Sequence, residues 1–265
     1  HGYLSSHKHN EGQGEKDIPD YGVLKGDKDD LRNRVITLAY EKKTHRPVGF
    51  AAQIFLDVGV GLNITEVLHL GLVYVAQDFQ KKSILAMLYI LPNILMLLKG
   101  GFRPIWISSV SQVPSVVGVV ADYYEGVYPN PILKNKQTLM QKSLSNGIMS
   151  HHRSAFGTGD DATYDINKQI IYNSYTGGSD NLMKSFEECP KYRSEEVNTF
   201  CKDNLNYERG DDLLQIGILS GKLIHHFFLK RVAGVSRIQW ILYLFVAGIF
   251  SVTLPVLQWL TRKID

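Results

Sequence analysis

The sequence predicts an α/β sandwich: a mixed central sheet flanked by helices, followed by one C-terminal transmembrane helix. Three observations predict it. Two apolar runs flank the polar Glu41–Pro47, which is the pattern of a hairpin. Beyond them, helix-length apolar segments alternate with strand-like ones, as expected when helices cover a sheet. Finally, Ile238–Leu260 runs for 23 residues without Asp, Glu, Lys, Arg or His.

Bulk composition limits the function classes. With 265 residues and 44% hydrophobic content, the chain can bury a sizeable core beside its anchor. The net charge is only +3. No run of Lys and Arg alternates with aromatics as a nucleic-acid groove needs, so nucleic acid is excluded as a partner. Cys189 and Cys201 have neither CxxC nor His spacing, which gives no disulfide framework and no zinc site. No metal is expected, and pairing of these two thiols stays open.

Taken in order, residues 1–30 are polar and glycine-rich and read as a flexible arm. Its His7 and His9 read as surface histidines rather than ligands. Arg34–Tyr40 and Val48–Leu56 are the hairpin strands. After a turn at Gly59 and Gly61, Thr65–Val75 is almost continuously apolar and so belongs mid-sheet. Ile84–Leu98 is too short to span a membrane and holds Pro92 and Asn93, so a helix covering the sheet explains it. Pro104–Val110 is the next strand. A helix over Ser115–Tyr124 follows, with Pro114 at its start, where proline fits. Residues 31–130 therefore form an α/β core.

Residues 131–220 read as a loop-rich extension completing the domain, with a strand at Leu213–Leu219 after the YERGDD turn. Residues 221–265 hold a basic, aromatic-bearing interfacial helix, Lys222–Arg231, and the anchor. At about 1.5 Å per residue the anchor reaches roughly 34 Å, against a hydrocarbon core of about 30 Å. Trp240 and Trp259 sit near its ends, where indoles favour the headgroup layer. Lys230, Arg231 and Arg237 precede it, and Arg262 and Lys263 follow. The heavier charge on the first flank puts the large domain on the cytosolic or matrix-like side, with the lipid bilayer as partner.

Chemistry concentrates at the end of the third strand. Val75–Leu85 reads VAQDFQKKSIL, and Ser108–Pro129 reads SSVSQVPSVVGVVADYYEGVYP. With the element order of Arg34–Pro129, these blocks resemble the GCN5-related N-acetyltransferase family. The resemblance covers a little over a third of the chain. In that family the central strand ends in V-x-P-x-[YF]-[RQ]-x-x-G-x-[GA], and free N–H groups at the following helix start hold the donor's pyrophosphate. Val75, Phe79 and Gln80 match. Gln77 replaces the proline, while Ser83 and Leu85 replace the two glycines. The resemblance implies an acyl-CoA or acetyl-CoA donor held by Val75, Gln80, Lys81, Lys82, Ser83 and Ile84.

It also implies a tyrosine general acid, Tyr124 or Tyr123, with Gln112 near the family's Asn. Tyr124→Phe is then expected to lower turnover while sparing donor affinity. Glu66 and His69 lie on the central strand, an odd number apart and so on opposite faces. Glu66 is the candidate base and His69 reads as a core histidine. Backbone N–H groups between Leu72 and Val75 are the expected oxyanion donors. Two functions follow as expectations: a membrane-anchored acyltransferase acting on an amine or hydroxyl acceptor, or a non-catalytic subunit of a membrane complex.

Overall fold

The computed structural model describes residues 22–224 except 25, 27 and 83, together with 226. The chain divides into two compact units, 1–224 and 225–265, and the first is described here. Most of the expected arm, and the expected anchor at Ile238–Leu260, lie outside the described residues. Among the described residues no helix is long and apolar enough to cross a membrane.

The hairpin forms where the two apolar runs flank the polar turn. β1 (Arg34–Tyr40) pairs antiparallel with β2 (Pro47–Val60), and β2 with β3 (Asn63–Val75). After a short α1 (Lys28–Arg32) ahead of the sheet, the helices are α2 (Ile84–Lys99), α3 (Pro114–Tyr123), α4 (Leu139–His151) and α5 (Glu195–Asn204). β4 (Ile105–Ser111) runs parallel to β3. β8 (Asp212–Leu219) returns antiparallel beside β4, carrying β7 (Ile170–Tyr172) and β6 (Thr163–Asp165) beyond it. β5 (Glu125–Tyr128) pairs with the far half of β8. The sheet is mixed, in the order β1-β2-β3-β4-β8-β7-β6.

Helices cover both faces. Leu214 and Ile216 join a core with Leu144 and Ile148 of α4, whereas Leu213 joins Val117 of α3 and Val197 of α5. Neighbouring residues on a strand point to opposite faces, so these two cores lie on opposite sides of β8. The region expected to be loop-rich thus contributes two helices and the strand that extends the sheet past β4. Cys189 and Cys201 are buried and unpaired with each other.

α4 starts with a full capping box: the Thr138 hydroxyl accepts from the Gln141 N–H, and the Gln141 side chain accepts from the Thr138 N–H. Thr138→Ala removes one of these bonds. A loss of about 1 kcal/mol in unfolding free energy is expected, readable as a lower denaturant midpoint with unchanged slope.

Candidate active site

β3 begins the site with one extra residue. Ala52 pairs with Leu72 and Ile54 with His69, so Leu70 and Gly71 together oppose Gln53. Gly71 sits at φ +57, the left-handed conformation of a bulge glycine. A Cβ there would lie 2.0 Å from the Ala52 carbonyl oxygen, so only glycine fits.

The bulge coincides with a parting of strands. β3 and β4 pair only through Val67–His69 and Trp106–Ser108. Past His69, β3 continues along β2 and β4 along β8, leaving a cleft between them. Tyr89 of α2 reaches in, its hydroxyl donating to the Gly71 carbonyl at 2.9 Å. The cleft holds a cavity of about 180 Å³ walled by Gly71, Leu72, Val73 and Tyr74 on one side and Val110 and Ser111 on the other. Beside its apolar wall, β1 presents Ile36, Leu38 and Tyr40 to solvent on the face that carries Phe50, another wall residue.

Among the titratable groups lining the cavity, His69 and Asp212 are buried with displaced pKa values. His69 is buried, with Nδ1 3.0 Å from the Ser108 hydroxyl. Burial and then the charge of Arg34 lower its pKa to about 3, so its ring stays neutral. Asp212, at the start of β8, receives the Tyr175 hydroxyl at 3.3 Å. Burial raises its pKa to about 6, opposed by hydrogen bonds from the Ser174 and Tyr175 side chains and the Gln112 backbone. A carboxyl brought close to neutrality in a cavity suits proton transfer.

Two buried side-chain amides lie beside wall residues without lining the cavity themselves. Between the wall residues Ser111 and Val113, the fully buried Gln112 amide has no hydrogen-bond partner among the described residues. Gln53, opposite the bulge, is likewise buried with both amide atoms unpartnered among them. Buried amides are normally satisfied, so these two are exceptions inside the core.

The residues expected from sequence are dispersed. Tyr124 is buried past the end of α3 and is absent from the cavity wall. Its hydroxyl accepts from the Asn93 side chain at 2.6 Å, and burial pushes its pKa above the ordinary tyrosine range. Tyr123 is buried beside it. Glu66 is exposed opposite Asp57 and borders a shallow pocket with Arg32, away from the cavity. Of the donor-loop residues, Val75 ends β3 and its carbonyl accepts from the Gln80 side chain at 3.3 Å. Residues 77–82 wind into a 3₁₀ turn and Ile84 opens α2. Ser83 lies outside the described residues, as do the side chains of Lys81 and Lys82.

No metal-holding group of His, Cys, Asp and Glu occurs among the described residues. Asp212 is the buried cavity carboxyl that carried no sequence signal. His69 was visible as a histidine inside an apolar strand, but strand register alone did not show that it faces a cavity.

No protein-family model matches the chain, and no curated protein matches it. Among solved structures, an acetyltransferase from Vibrio fischeri overlaps it with a TM-score of 0.24 and 10% identity. The overlap covers 28% of this chain and 60% of that one. The fold and site accordingly stand on this chain's own strands.

Proposed function

We propose that the chain is an acyltransferase that moves an acyl group from a coenzyme A thioester to an amine or hydroxyl acceptor in the β3–β4 cleft. The observation that carries this reading is the parting of β3 from β4 at the Gly71 bulge, which frees two backbone edges inside an α/β core. Such edges take an extended, amide-bearing arm as an added strand would be taken. When bound, the thioester supplies an activated carbonyl. The Leu72–Tyr74 backbone orients that carbonyl, and the apolar wall excludes water. As the acceptor nitrogen or oxygen bonds to the carbonyl carbon, Asp212, steadied by Tyr175, takes the acceptor's proton. The C–S bond breaks, and the departing coenzyme A thiolate takes that proton back from Asp212 and leaves as the thiol. His69 stays neutral and holds Ser108. In the cell, Ile238–Leu260 tethers the domain to a bilayer, and the exposed β1 residues beside the cavity suit an apolar acyl chain.

A second reading, a non-catalytic subunit of a membrane complex, draws on one observation. The tyrosine expected as acid is tied to Asn93 and does not line the cavity. Calorimetric titration of the detergent-solubilised full chain with acetyl-CoA and a long-chain acyl-CoA separates the two. Binding that Ser111→Trp abolishes, by filling the cleft, supports the enzyme. A folded protein that binds neither donor leaves the subunit. In an acceptor screen, Asp212→Asn is expected to lower turnover by about a hundredfold or more. Tyr124→Phe is expected to lower it far less.

A further inference from the structure

We propose that the outer face of α2, with Phe102 in the turn after it, is the surface on which this domain rests against a lipid bilayer with anionic headgroups. The proposal rests on reading Ile238–Leu260 as a membrane anchor. It concerns a different part of the molecule, the domain itself.

α2 breaks a rule that its neighbours keep. A helix covering a sheet puts apolar residues inward and polar ones outward. Past its exposed first residue, Leu139, α4 exposes Ser143, Asn146, Ser150 and His151, and α5 exposes Glu195, Glu196, Thr199, Lys202 and Asp203. α2 exposes Met87, Leu91, Leu95 and Leu98, at 39%, 47%, 59% and 39% of full accessibility. These positions recur every three or four residues and form one stripe along the helix. The polar side chains of α2 before Lys99 are Tyr89 and Asn93, and both are buried. Water therefore meets four turns of helix through hydrocarbon alone.

The turn beyond α2 continues the stripe. Gly101 and Phe102 both have positive φ, +66° and +62°, and the Phe102 N–H closes onto the Leu97 carbonyl at 2.8 Å. A large aromatic rarely adopts that conformation, and here it holds an exposed ring next to Leu98 in sequence. Lys99 and Arg103 are exposed on either side of it, and residues 84–104 contain no Asp or Glu. A hydrocarbon stripe ending in an aromatic and two cations matches the boundary between acyl chains and anionic headgroups.

The path of the chain favours a bilayer over a second copy or another protein. Ile105, two residues after Arg103, pairs with Leu219 at the end of β8. The chain thus leaves the sheet at the same edge as the α2 turn, and the 23-residue apolar segment follows in sequence. A tether starting there holds the domain within reach of a membrane.

The test uses the full chain in vesicles of phosphatidylcholine and phosphatidylserine, with a polarity-sensitive fluorophore on Leu95→Cys, Phe102→Cys or Asn146→Cys. Cys189 and Cys201 are buried and remain unlabelled in the folded protein. Labels at 95 and 102 are expected to be quenched several-fold more by doxyl lipids than the label at 146, and shielded from aqueous iodide. A carbonate wash reports the anchor separately. Protein released by it overturns the anchor reading, and the proposal with it. Protein that resists the wash while position 95 is as open to iodide as position 146 overturns the docking face alone. Self-quenching between labelled copies, without quenching by lipid, assigns the stripe to a second copy and also overturns it.

Discussion

Gly71→Ala is expected to destabilise the fold severely and to abolish donor binding by whatever remains folded. Two costs fall on one atom. The left-handed conformation at φ +57 costs a residue bearing a Cβ about 1–3 kcal/mol. The added carbon also meets the Ala52 carbonyl oxygen at 2.0 Å, a contact that only backbone movement relieves. Moving β2 away there disturbs the pairing of β2 with β3, and the Gly71 carbonyl leaves the Tyr89 hydroxyl. Gly61→Ala separates the two costs. Gly61 has nearly the same φ, +61, and nothing within 4 Å of its Cβ position. Denaturant midpoints should therefore fall modestly for Gly61→Ala and much further for Gly71→Ala. Equal losses at the two sites would mean that the bulge yields easily and is not what holds the strands apart.

That bulge shows how far the sequence could be read. Thr65–Val75 was legible as a strand because its apolar run is long and flanked by turn residues. A glycine inside such a run is a recognised sign of a bulge. Its consequence, the parting from β4, depends on a pairing partner 39 residues away and has no local signature. Arg34–Tyr40 and Ile84–Lys99 were legible almost to the residue, since an apolar run beside a polar turn and a long apolar block each admit one reading. α4 was harder because its sequence, LMQKSLSNGIMSH, mixes small polar residues into the apolar face. The T-x-x-Q box at Thr138 is the local mark that could have announced it. β6 and β7, three residues each, are shorter than any periodicity can show. Asp212 opens a strand beside a turn and reads as turn chemistry. Its burial arises from Tyr175 and the end of β4, which only the fold brings near it.

The two cavity groups should give stability a pH dependence with opposing parts. His69 titrates at about 3 in the fold against an ordinary 6.5, so acidification through that window protonates the unfolded chain first and drains stability. Asp212 does the reverse. Its folded value of about 6 lies above the ordinary 3.8, so acidification across that window protonates the folded chain first and adds stability. Each unit of displacement corresponds to about 1.4 kcal/mol, which is enough for either effect to stand out in denaturant melts. In the wild type the two partly cancel between about 6 and 3.8. The variants should expose them with opposite slopes. Asp212→Asn should gain most on the wild type at neutral pH and lose that gain as acid is added. His69→Gln should gain ground on the wild type only as pH falls below 6.5. Curves parallel to the wild type would remove both groups from the buried cavity. Activity adds a third reading. If Asp212 accepts the proton, kcat/KM should rise as pH passes about 6 and level off above it. A profile flat through that point would leave the acceptor's proton to another group.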